Sequence, residues 1–485
     1  MILLRISYRD FVTHFMWGLH YNFAAFNTKG ASMQQDKENL SRRDLLKVLG
    51  ASGIALGGVG LSTPTKAEAK SDKAPNIAII GAGLGGISLS AKLVKELPNA
   101  KIKLFDADPI LYYQPGFTLI AAGIYNKKDT EYNKKDLIDS KVEWIQENVS
   151  AVNPNANNLT TTSGQVYPYD YLVIGTGTIN QFEKYQGLTE EFVNDPNTNV
   201  TSIYTPDGAV KAQSMMKKAA KEGGKVIFAE PNTPIKCGGA NKKINFLLDD
   251  LGTTNNTRQK IDMSLYTGGG AMLSSPTHAK MIEQFFIERK MPYFMRNLLV
   301  EVDTARNIAV FEKLMPYTEN GVQKVAKERF EKPYDYLFVI PPMKTADFIT
   351  EAGLAITKGH IAGNWVDVDS YTLQHKKYPN IFAIGDCAGI PKGKTGASIR
   401  KQYPVIAENL IAHLNNQPLK AKFSGYTACP LLTRYGKAVM VEFDYEGTAP
   451  SMPCFGATRE SWLNWFVKAY LMKPMVMSGM IHARA

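Results

Sequence analysis

Of this 485-residue chain, the four cysteines are the residues best able to do chemistry. Cys237 stands where a loop enters a predicted helix, with Lys236 beside it and Lys242 and Lys243 just beyond. A helix N-terminus and neighbouring cations both lower the pKa of a thiol and favour the nucleophilic thiolate. The sequence therefore predicts that Cys237 is redox-active.

The other three cysteines carry weaker signals. Cys429 lies in the segment 426–431 and tells little by itself, whereas Cys387 directly follows Asp386 and is expected to pack in the interior. Cys454, in a Pro/Gly-rich turn, is either free or a minor redox site. No cysteine pair has CxxC spacing and the seven histidines have no ligand spacing, so neither a metal site nor covalent haem is predicted.

A glycine-rich turn near residue 80 predicts a nucleotide site. Gly81, Gly83 and Gly86 form a G-x-G-x-x-G pattern between an apolar strand and a helical pattern. Such glycines let the backbone approach a pyrophosphate at the helix N-terminus. A second strand, 101–105, ends in Asp106, where a carboxylate can accept ribose hydroxyls. We predict a dinucleotide-binding lobe.

Two later motifs indicate which dinucleotide is bound. The apolar strand 171–174 runs into a glycine turn, and the strand 380–384 ends in Gly-Asp. Both resemble motifs of flavoproteins with two dinucleotide-binding domains, which implies FAD, with Asp386 on the ribityl chain and the helix 396–413 aimed at the flavin ring. The flavin-binding residues predicted from this part of the chain are Gly175, Thr176, Gly177, Asp386 and Lys394.

An internal repeat predicts two related lobes. Pro-Tyr-Asp-Tyr-Leu occurs at 168–172 and again at 333–337, each time leading into an apolar strand. The second lobe should open with the strand 225–229, but the loop that follows, 230–239, has two prolines and Cys237 in place of a glycine turn. We predict that this lobe has lost NAD(P)H binding and gained a thiol.

The chain resembles the sulfide:quinone oxidoreductases, in particular the branch with two active-site cysteines that includes the mitochondrial enzyme. The resemblance covers residues 75 to about 480, and its specific part is the pair of segments around Cys237 and Cys429. The segments that carry it are 112–119, 232–237, 385–387, 426–431 and 442–445.

The resemblance implies a mechanism and a set of partners. Cys237 and Cys429 would form a disulfide beside the flavin, and sulfide would attack Cys429 and leave a persulfide there. The released Cys237 thiolate would reduce FAD, a second nucleophile would collect the sulfane sulfur, and a quinone would take the electrons. No cysteine precedes Cys237 in this sequence, and the segment 112–114 reads Tyr-Tyr-Gln, so neither a three-cysteine arrangement nor covalent FAD is predicted.

The C-terminal segment 458–482 mixes Trp, Phe, Tyr and Met with a few lysines and one proline. That mixture suits a segment lying in one membrane leaflet, and the alternative is a helix packed on the protein's own body. Tyr435, Phe443 and Tyr445 are candidate quinone contacts, chosen for their position and aromaticity.

The N-terminal region is typical of an export signal. Residues 41–47 form a twin-arginine pattern, an apolar stretch follows at 48–61, and Ala67-Glu68-Ala69 is a cleavage signal. We therefore predict a periplasmic protein attached peripherally to the cytoplasmic membrane, with Met33 as an alternative start. The net charge of +11 favours anionic lipid or small anions over nucleic acid, because the sequence contains no nucleic-acid-binding module. The alternative is a solvated basic surface with no particular partner.

The predicted fold class is α/β, with two Rossmann-like lobes, the second inserted in the first, and a membrane-contact region. The predicted function is FAD-dependent sulfide:quinone oxidoreductase. Alternatives are a type 2 NADH:quinone oxidoreductase, a sulfide dehydrogenase subunit that reduces a cytochrome c, and a non-catalytic flavin-binding or assembly protein. The sulfur acceptor, the quinone type and the oligomeric state stay open, with a homo-oligomer as one option. The predicted divisions are 1–69 leader, 75–190 FAD lobe, 191–339 second lobe, 340–420 FAD lobe and 421–485 C-terminal region.

Overall fold

The computed structural model describes residues 74–358, 363–450 and 456–484. The twin-arginine segment, the cleavage signal and Cys454 lie outside these ranges, and the interpretations placed on them stay predictions.

The described residues form alternating strands and helices. The strands are β1 Asn76–Ile80, β2 Lys101–Phe105, β3 Ile110–Tyr112, β4 Glu131–Asn133, β5 Glu143–Ile145, β6 Val149–Asn153, β7 Asn158–Thr161, β8 Val166–Pro168, β9 Tyr171–Ile174, β10 Ile179–Asn180, β11 Val200–Thr201, β12 Gly224–Glu230, β13 Ile261–Thr267, β14 Tyr293–Met295, β15 Asn297–Asp303, β16 Ile308–Glu319, β17 Val322–Pro333, β18 Tyr336–Val339, β19 Met343–Lys344, β20 Ile381–Ala383, β21 Thr427–Arg434 and β22 Lys437–Phe443. The α-helices are α1 Leu84–Glu96, α2 Phe117–Ala121, α3 Glu190–Asn194, α4 Pro206–Glu222, α5 Ala240–Thr254, α6 Pro276–Glu288, α7 Asp347–Glu351, α8 Gly396–Leu414, α9 Trp462–Phe466 and α10 Met472–Pro474.

A five-stranded parallel sheet, in the order β20-β9-β1-β2-β5, forms the first lobe. The central strands β1 and β9 are almost wholly buried, as expected for a parallel sheet covered on both faces. Helices α1 and α8 pack against each other beside this sheet. The sheet thus places the N-termini of α1 and α8 on the same lobe.

A second five-stranded parallel sheet follows, in the order β11-β18-β12-β13-β14. Its central strand β12 is an apolar run buried from Val226 to Glu230, and α4 and α5 contact each other beside it. The two parallel sheets confirm the predicted α/β fold class with two Rossmann-like lobes.

The internal repeat has a structural counterpart. We call β1 and β12 the first strands of the two lobes and set aside the two-residue strand β11 that precedes β12. In each lobe a three-stranded antiparallel sheet, β6-β7-β8 or β15-β16-β17, leads into the strand that pairs with this first strand. The aspartate of each repeat accepts a hydrogen bond from that first strand: Asp170 Oδ2 from the Asn76 N–H at 2.6 Å, and Asp335 Oδ2 from the Lys225 N–H at 2.7 Å. The repeated sequence therefore does the same structural task twice.

The hairpin β21–β22 and a C-terminal helical segment complete the described residues. β21 packs on α5, and α9 packs on β22. From α9 the chain continues to His482 in short α-, π- and 3₁₀-helical turns. Among the described residues, no helix has both the length and the apolar character needed to cross a bilayer.

Candidate active site

The loop between β12 and α5 holds Cys237 in a left-handed backbone conformation, with φ of +50°. This conformation costs a non-glycine residue on the order of 1 kcal/mol, so the surrounding contacts must hold it. The Cys237 N–H donates to the Lys394 carbonyl at 3.0 Å. The Tyr204 hydroxyl hydrogen-bonds to the carbonyls of Lys236 and Cys237 at 2.5 and 3.3 Å. The loop is thereby fixed to the segment that precedes α8.

The sulfur atoms of Cys237 and Cys429 lie 3.3 Å apart, although 192 positions separate them in the chain. Cys429 is buried on β21, opposite Val441 of β22, whereas Cys237 is half-buried. Gly239 leaves room for the pair, because a Cβ atom there would stand 3.1 Å from the Cys429 sulfur. The fold thus brings together the two cysteines that the sequence analysis singled out.

The two thiols differ in pKa because of their mutual contact and the charges around them. The hydrogen bond with Cys429 and the nearby Lys243 ammonium hold the pKa of the Cys237 thiol well below its ordinary value, against the effect of burial. Lys243 Nζ lies 3.5 Å from the Cys237 sulfur. The contact with Cys237 and burial raise the pKa of the Cys429 thiol well above its ordinary value. In the reduced pair, Cys237 is therefore the more acidic of the two thiols.

Two consecutive buried lysines of α5 have different partners. Lys242 forms a buried ion pair with Glu230 at the end of β12 and donates to the Gly238 carbonyl at 3.0 Å. Lys243 instead faces the two sulfurs, whose charge raises the pKa of its ammonium above the ordinary value although burial opposes this. One lysine therefore fixes the loop, and the other supplies a positive charge to the thiolate.

Lys468, in the C-terminal segment, is a further buried cation near the pair. Its Nζ donates to the Pro115 carbonyl at 2.6 Å. Burial and the Lys243 charge lower the pKa of Lys468 to about 7, while the cysteines oppose this shift. Sequence reasoning missed Lys468. The sequence offers no local signal for it, because its burial results from the packing of the C-terminal segment.

The glycine-rich turn of the first lobe has the shape that a dinucleotide requires. Gly81 has φ of +101°, and a Cβ there would meet the Gly175 carbonyl oxygen at 2.4 Å. A Cβ on Gly86 would stand 2.0 Å from the Gly81 oxygen, so only glycine allows this approach of α1 to β1. A Cβ on Gly83 would meet nothing within 4 Å, which leaves open space at the N-terminus of α1. A pyrophosphate fits that space and that helix end.

Asp106 stands beside the same turn. Its Oδ2 accepts the Ala82 N–H at 2.8 Å, and its Oδ1 forms an ion pair with the buried Lys134 at 2.8 Å. Its Oδ1 also accepts the Asp108 N–H at 3.0 Å, so three protein contacts fix the orientation of the carboxylate, and its contact with a ribose stays a prediction.

The other predicted flavin residues lie at the ends of β9 and β20. Thr176 and Gly177 follow Gly175 at the end of β9, and Gly177 has φ of +65° with open space where a Cβ would be. Asp386 follows β20, and its buried Oδ1 has no hydrogen-bond partner within the described residues. An unpaired buried carboxylate oxygen is costly, so this atom fits a hydroxyl-bearing ligand such as the ribityl chain of FAD.

Lys394 contacts both Asp386 and the loop that holds Cys237. Its Nζ donates to the carbonyls of Asp386 and Ala388 at 2.6 and 3.0 Å and lies 3.8 Å from the centre of the Trp365 ring. Burial lowers the pKa of Lys394 to about 8, although Asp386 opposes the shift. Since the Lys394 carbonyl also holds Cys237, this residue links the predicted flavin site to the cysteine pair.

Several known proteins are similar to this chain over most of its length. The family model described as pyridine nucleotide-disulphide oxidoreductase matches residues 75–230. The mitochondrial sulfide:quinone oxidoreductase of Dictyostelium discoideum is 33% identical over 86% of this chain and 88% of its own length. The chain belongs to the sulfide:quinone oxidoreductase family. The mitochondrial sulfide:quinone oxidoreductase of Schizosaccharomyces pombe is 34% identical over 76% of this chain and 81% of its own length.

Solved structures share the fold of this sulfide:quinone oxidoreductase family member. The sulfide:quinone oxidoreductase of Aquifex aeolicus superposes with a TM-score of 0.67 at 22% identity, covering 84% of this chain and 92% of that one. A chain in the cryo-EM structure of the Tetrahymena thermophila mitochondrial ATP synthase gives 0.73 at 21% identity, covering 86% and 99%. Membership of the family makes the chain an oxidoreductase that uses a flavin.

The three aromatic residues predicted to bind quinone are not brought together. The Tyr435 hydroxyl donates to the Ala122 carbonyl at 3.0 Å, at the turn of the β21–β22 hairpin. The Tyr445 hydroxyl donates to the Ser370 carbonyl at 2.9 Å, beyond the other end of the hairpin. Seven residues of extended strand separate the two ends, on the order of 20 Å. Phe443, opposite Thr427, is the one of the three that lies near Cys429.

The C-terminal segment presents one face to the protein and another to solvent. Trp465, Ala469 and Met480 are buried, and the Tyr125 hydroxyl donates to the Ala469 carbonyl at 2.7 Å. On the outer side, Trp462 stacks on Phe466, and both Trp462 and Tyr470 are about half exposed, at 51% and 55%. Part of the segment therefore packs on the protein's own body, while an aromatic stripe stays free for an interface.

Proposed function

We propose that this chain oxidises sulfide at the Cys237–Cys429 pair and passes the electrons through FAD to a membrane quinone. The observation that carries the proposal is the 3.3 Å separation of the two sulfurs beside a buried lysine. At that distance a disulfide can form and open with a small side-chain movement. The names of the related mitochondrial and bacterial proteins support the choice of substrates.

The proposed sulfur chemistry starts from the oxidised pair. Sulfide anion attacks the Cys429 sulfur, the bond between the two cysteine sulfurs breaks, and Cys237 leaves as a thiolate. Cys429 then carries a persulfide. A second nucleophile takes the outer sulfur and leaves a Cys429 thiolate, so the two electrons of the sulfide now reside on the two cysteines. Reoxidation of the pair to the disulfide releases them.

The charges fit these roles. Cys237 is the better leaving group, because its low pKa means that its thiolate is the stable one. Lys243 attracts the anionic substrate and stabilises the thiolate that leaves. The Glu230–Lys242 ion pair keeps the loop in place while the sulfurs move.

FAD fits the residues around Gly83, Asp106 and Asp386, as the open space and the unpartnered carboxylate oxygen indicate. When bound, the flavin supplies a two-electron acceptor from which a quinone can be reduced. We propose that it is bound without a covalent link, since the sequence has no cysteine before Cys237. The exposed aromatic stripe of the C-terminal segment would meet the membrane surface and bring the site to the quinone.

The second lobe argues against NADH as the electron donor. Its first strand ends in Glu230, whose carboxylate is already buried against Lys242, and the following loop is occupied by Cys237. A nicotinamide dinucleotide would need a glycine turn and a free helix N-terminus in that place. Sulfide therefore remains the better-supported donor.

We also propose export of the folded, FAD-loaded protein by the twin-arginine route, on the basis of the sequence 41–69. Fractionation of cells that make the full chain, with Arg42→Lys and Arg43→Lys together as the control variant, tests this. Periplasmic protein that persists in the double variant would contradict it.

An anaerobic titration tests the proposed reaction. The purified, FAD-loaded chain is titrated with sulfide while the flavin spectrum is followed, and a soluble quinone is then added. We expect bleaching by about one equivalent of sulfide per flavin once a sulfur acceptor is present, and recovery on addition of quinone. Bleaching by NADH but not by sulfide would replace this proposal with the NADH:quinone oxidoreductase alternative.

A further inference from the structure

The antiparallel hairpin β16–β17 extends well beyond the sheet to which it belongs. β15 pairs with β16 only from Ile308 to Lys313, whereas β16 and β17 stay paired to Glu319 and Val322. Among the described residues, no strand pairs with the outer edge of β17. A bare two-stranded ribbon is marginally stable in water, and a free edge is a template for another strand.

The outer half of this ribbon exposes apolar side chains. Met315 and Tyr317 on β16 are 37% and 45% exposed, and Val322 and Val325 on β17 are 58% and 53% exposed. Charged residues alternate with them along both strands, and the basic and acidic residues are nearly balanced. This surface lacks the excess of basic residues that favours lipid or nucleic acid. Its exposed apolar side chains also distinguish it from an ordinary polar surface in contact with water.

We propose that a second copy of this chain covers the edge, with β17 of the two copies paired antiparallel about a two-fold axis through Ala326. When two copies of a strand pair about a two-fold axis normal to the sheet, the residue at the axis must lie opposite the same residue of the second copy. In any other alignment, the side chains of residues that lie opposite each other would point to different faces of the sheet. This requirement leaves few registers along β17, and charge together with coverage of the exposed Val322 and Val325 distinguishes among them.

The register centred on Ala326 places Lys324 opposite Glu328 of the second copy, and Glu328 opposite Lys324. It also places Val322 opposite Phe330. Centring the pair on Lys324, Lys327 or Glu328 instead puts two identical charges face to face, which is unfavourable. Centring it on Val325 gives no opposite-charge pair. Centring it on Phe330 also pairs opposite charges, Arg329 with Glu331 and Glu328 with Lys332, but it leaves the exposed Val322 and Val325 outside the paired segment. The register centred on Ala326 is the one that pairs opposite charges and also covers these two valines.

The neighbours of these residues fit the same register. Met315 stands beside Ala326 within the hairpin, so the small Ala326 side chains would meet between two methionines. Phe330 stacks on Phe311 with 5.6 Å between ring centres, and Val322 of the second copy would extend this apolar row. The two copies would form one continuous sheet in the order β15-β16-β17-β17-β16-β15.

Crosslinking tests the register directly. In Ala326→Cys the two new thiols face each other at a Cβ separation of about 5 Å, close enough for a disulfide after small adjustment. In the control Gln323→Cys the thiols lie about 20 Å apart along the strand. We expect mild oxidation of the FAD-loaded full chain to give a covalent dimer with Ala326→Cys, and no more dimer with Gln323→Cys than with the unaltered chain. Equal crosslinking of the two variants, or none with Ala326→Cys, would overturn the proposal.

Charge exchange provides a second test that does not depend on cysteine. Lys324→Glu sets two pairs of like charges opposite each other, so the dimer dissociation constant from sedimentation should rise about tenfold or more. Adding Glu328→Lys to this variant should return the dissociation constant to near its starting value. Residue 327 faces Val325 of the second copy, so Lys327→Glu should change the dissociation constant far less. Retained FAD shows that each variant is folded. A monomer at all concentrations, or a dimer that Lys324→Glu leaves unchanged, contradicts the paired edge and points to a different protein or the membrane as its partner.

Discussion

The loop after β1 and the loop after β12 begin in the same way, at the carboxyl end of the first strand of a parallel sheet and before a helix. The first turns tightly through Gly81 and Gly83, with backbone so close that a Cβ at Gly81 would overlap the Gly175 carbonyl. The second is longer and carries Cys237 in a left-handed conformation. The loop after β1 leaves open space at the N-terminus of its helix, whereas the loop after β12 places the Cys237 thiol at the corresponding position.

The difference shows how a duplicated lobe can change its chemistry. Both lobes keep the aspartate that binds the first strand, Asp170 and Asp335, so the framework is maintained. The second lobe gives up the glycine turn, and its loop is held by the Lys394 carbonyl of the segment before α8. The Cys237 thiol is thereby placed beside the first lobe, which carries the predicted flavin site.

Removing either cysteine should have the largest effect. Cys237→Ser or Cys429→Ser breaks the disulfide relay, so sulfide-dependent quinone reduction should fall by about 10³-fold or more, as is usual when a nucleophile is lost. Bound FAD should stay, because neither cysteine belongs to the first-lobe cradle. Steady-state assays with flavin content as the reference measure both quantities.

Cys387→Ala is the matched control. Its thiol is buried and hydrogen-bonds to the Ile174 and Ile384 carbonyls at 3.3 and 3.4 Å, far from the role proposed for the pair. Near-normal turnover is expected. A loss of turnover comparable to that of Cys237→Ser would contradict the division of roles among the cysteines.

A matched pair of glycine substitutions should separate the two loops. Gly86→Ala puts a Cβ 2.0 Å from the Gly81 oxygen, so the purified protein should lack FAD. Gly239→Ala puts a Cβ 3.1 Å from the Cys429 sulfur, so FAD should remain while the reaction with sulfide slows. Flavin absorbance and stopped-flow reduction distinguish these outcomes. Loss of FAD in Gly239→Ala would show that the loops are not functionally distinct.

Lys243→Gln should shift the pH dependence of the pair. Cys237 reacts as a thiolate, which forms as the pH rises through its pKa, and Lys243 helps to hold that pKa low. Without the ammonium, the pKa rises and the loss of reactivity on the acid side moves to higher pH. At neutral pH we expect about a 10- to 100-fold lower rate of alkylation of the reduced protein. Lys243→Arg should retain most of the rate, and an unchanged pH profile in Lys243→Gln would contradict the role of the charge.

Lys468→Met should have the smallest effect, and only at lower pH. Burial brings the pKa of Lys468 to about 7, so its side chain is a cation below that pH and neutral above it. The variant should therefore slow thiol alkylation below pH 7 and match the unaltered protein well above it. A uniform reduction at every pH would indicate a packing role for Lys468 instead of an electrostatic one.

Much of both lobes could be predicted from sequence because the signals for their strands and turns are local. The strand before Gly81 and the helix after it lie within a few residues of the expected positions, and β12 spans Gly224–Glu230 against a prediction of 225–229. Alternating apolar strands and a glycine turn specify local backbone directly. The repeat at 168–172 and 333–337 likewise predicted two lobes.

The site itself depends on contacts that no local pattern contains. The approach of Cys429 to Cys237 results from the packing of β21 on α5, across 192 residues of chain. The sequence does not distinguish Lys242 from Lys243, because they are adjacent residues of one predicted helix. Both are buried in the structure, which shows which of them faces the sulfurs. The candidate quinone contacts Tyr435, Phe443 and Tyr445, chosen for position and aromaticity, stay a prediction, and the structure adds that an extended hairpin separates Tyr435 from Tyr445.

The most direct test of the proposed relay is to locate the sulfur after a single turnover. The oxidised protein, without an acceptor, is treated with one equivalent of sulfide, alkylated and mapped by mass spectrometry. The relay predicts one added sulfur on Cys429 and an alkylated thiol at Cys237, with no added sulfur on Cys387. An added sulfur on Cys237 with Cys429 unmodified would reverse the assigned roles, and no added sulfur on either cysteine would contradict the relay altogether.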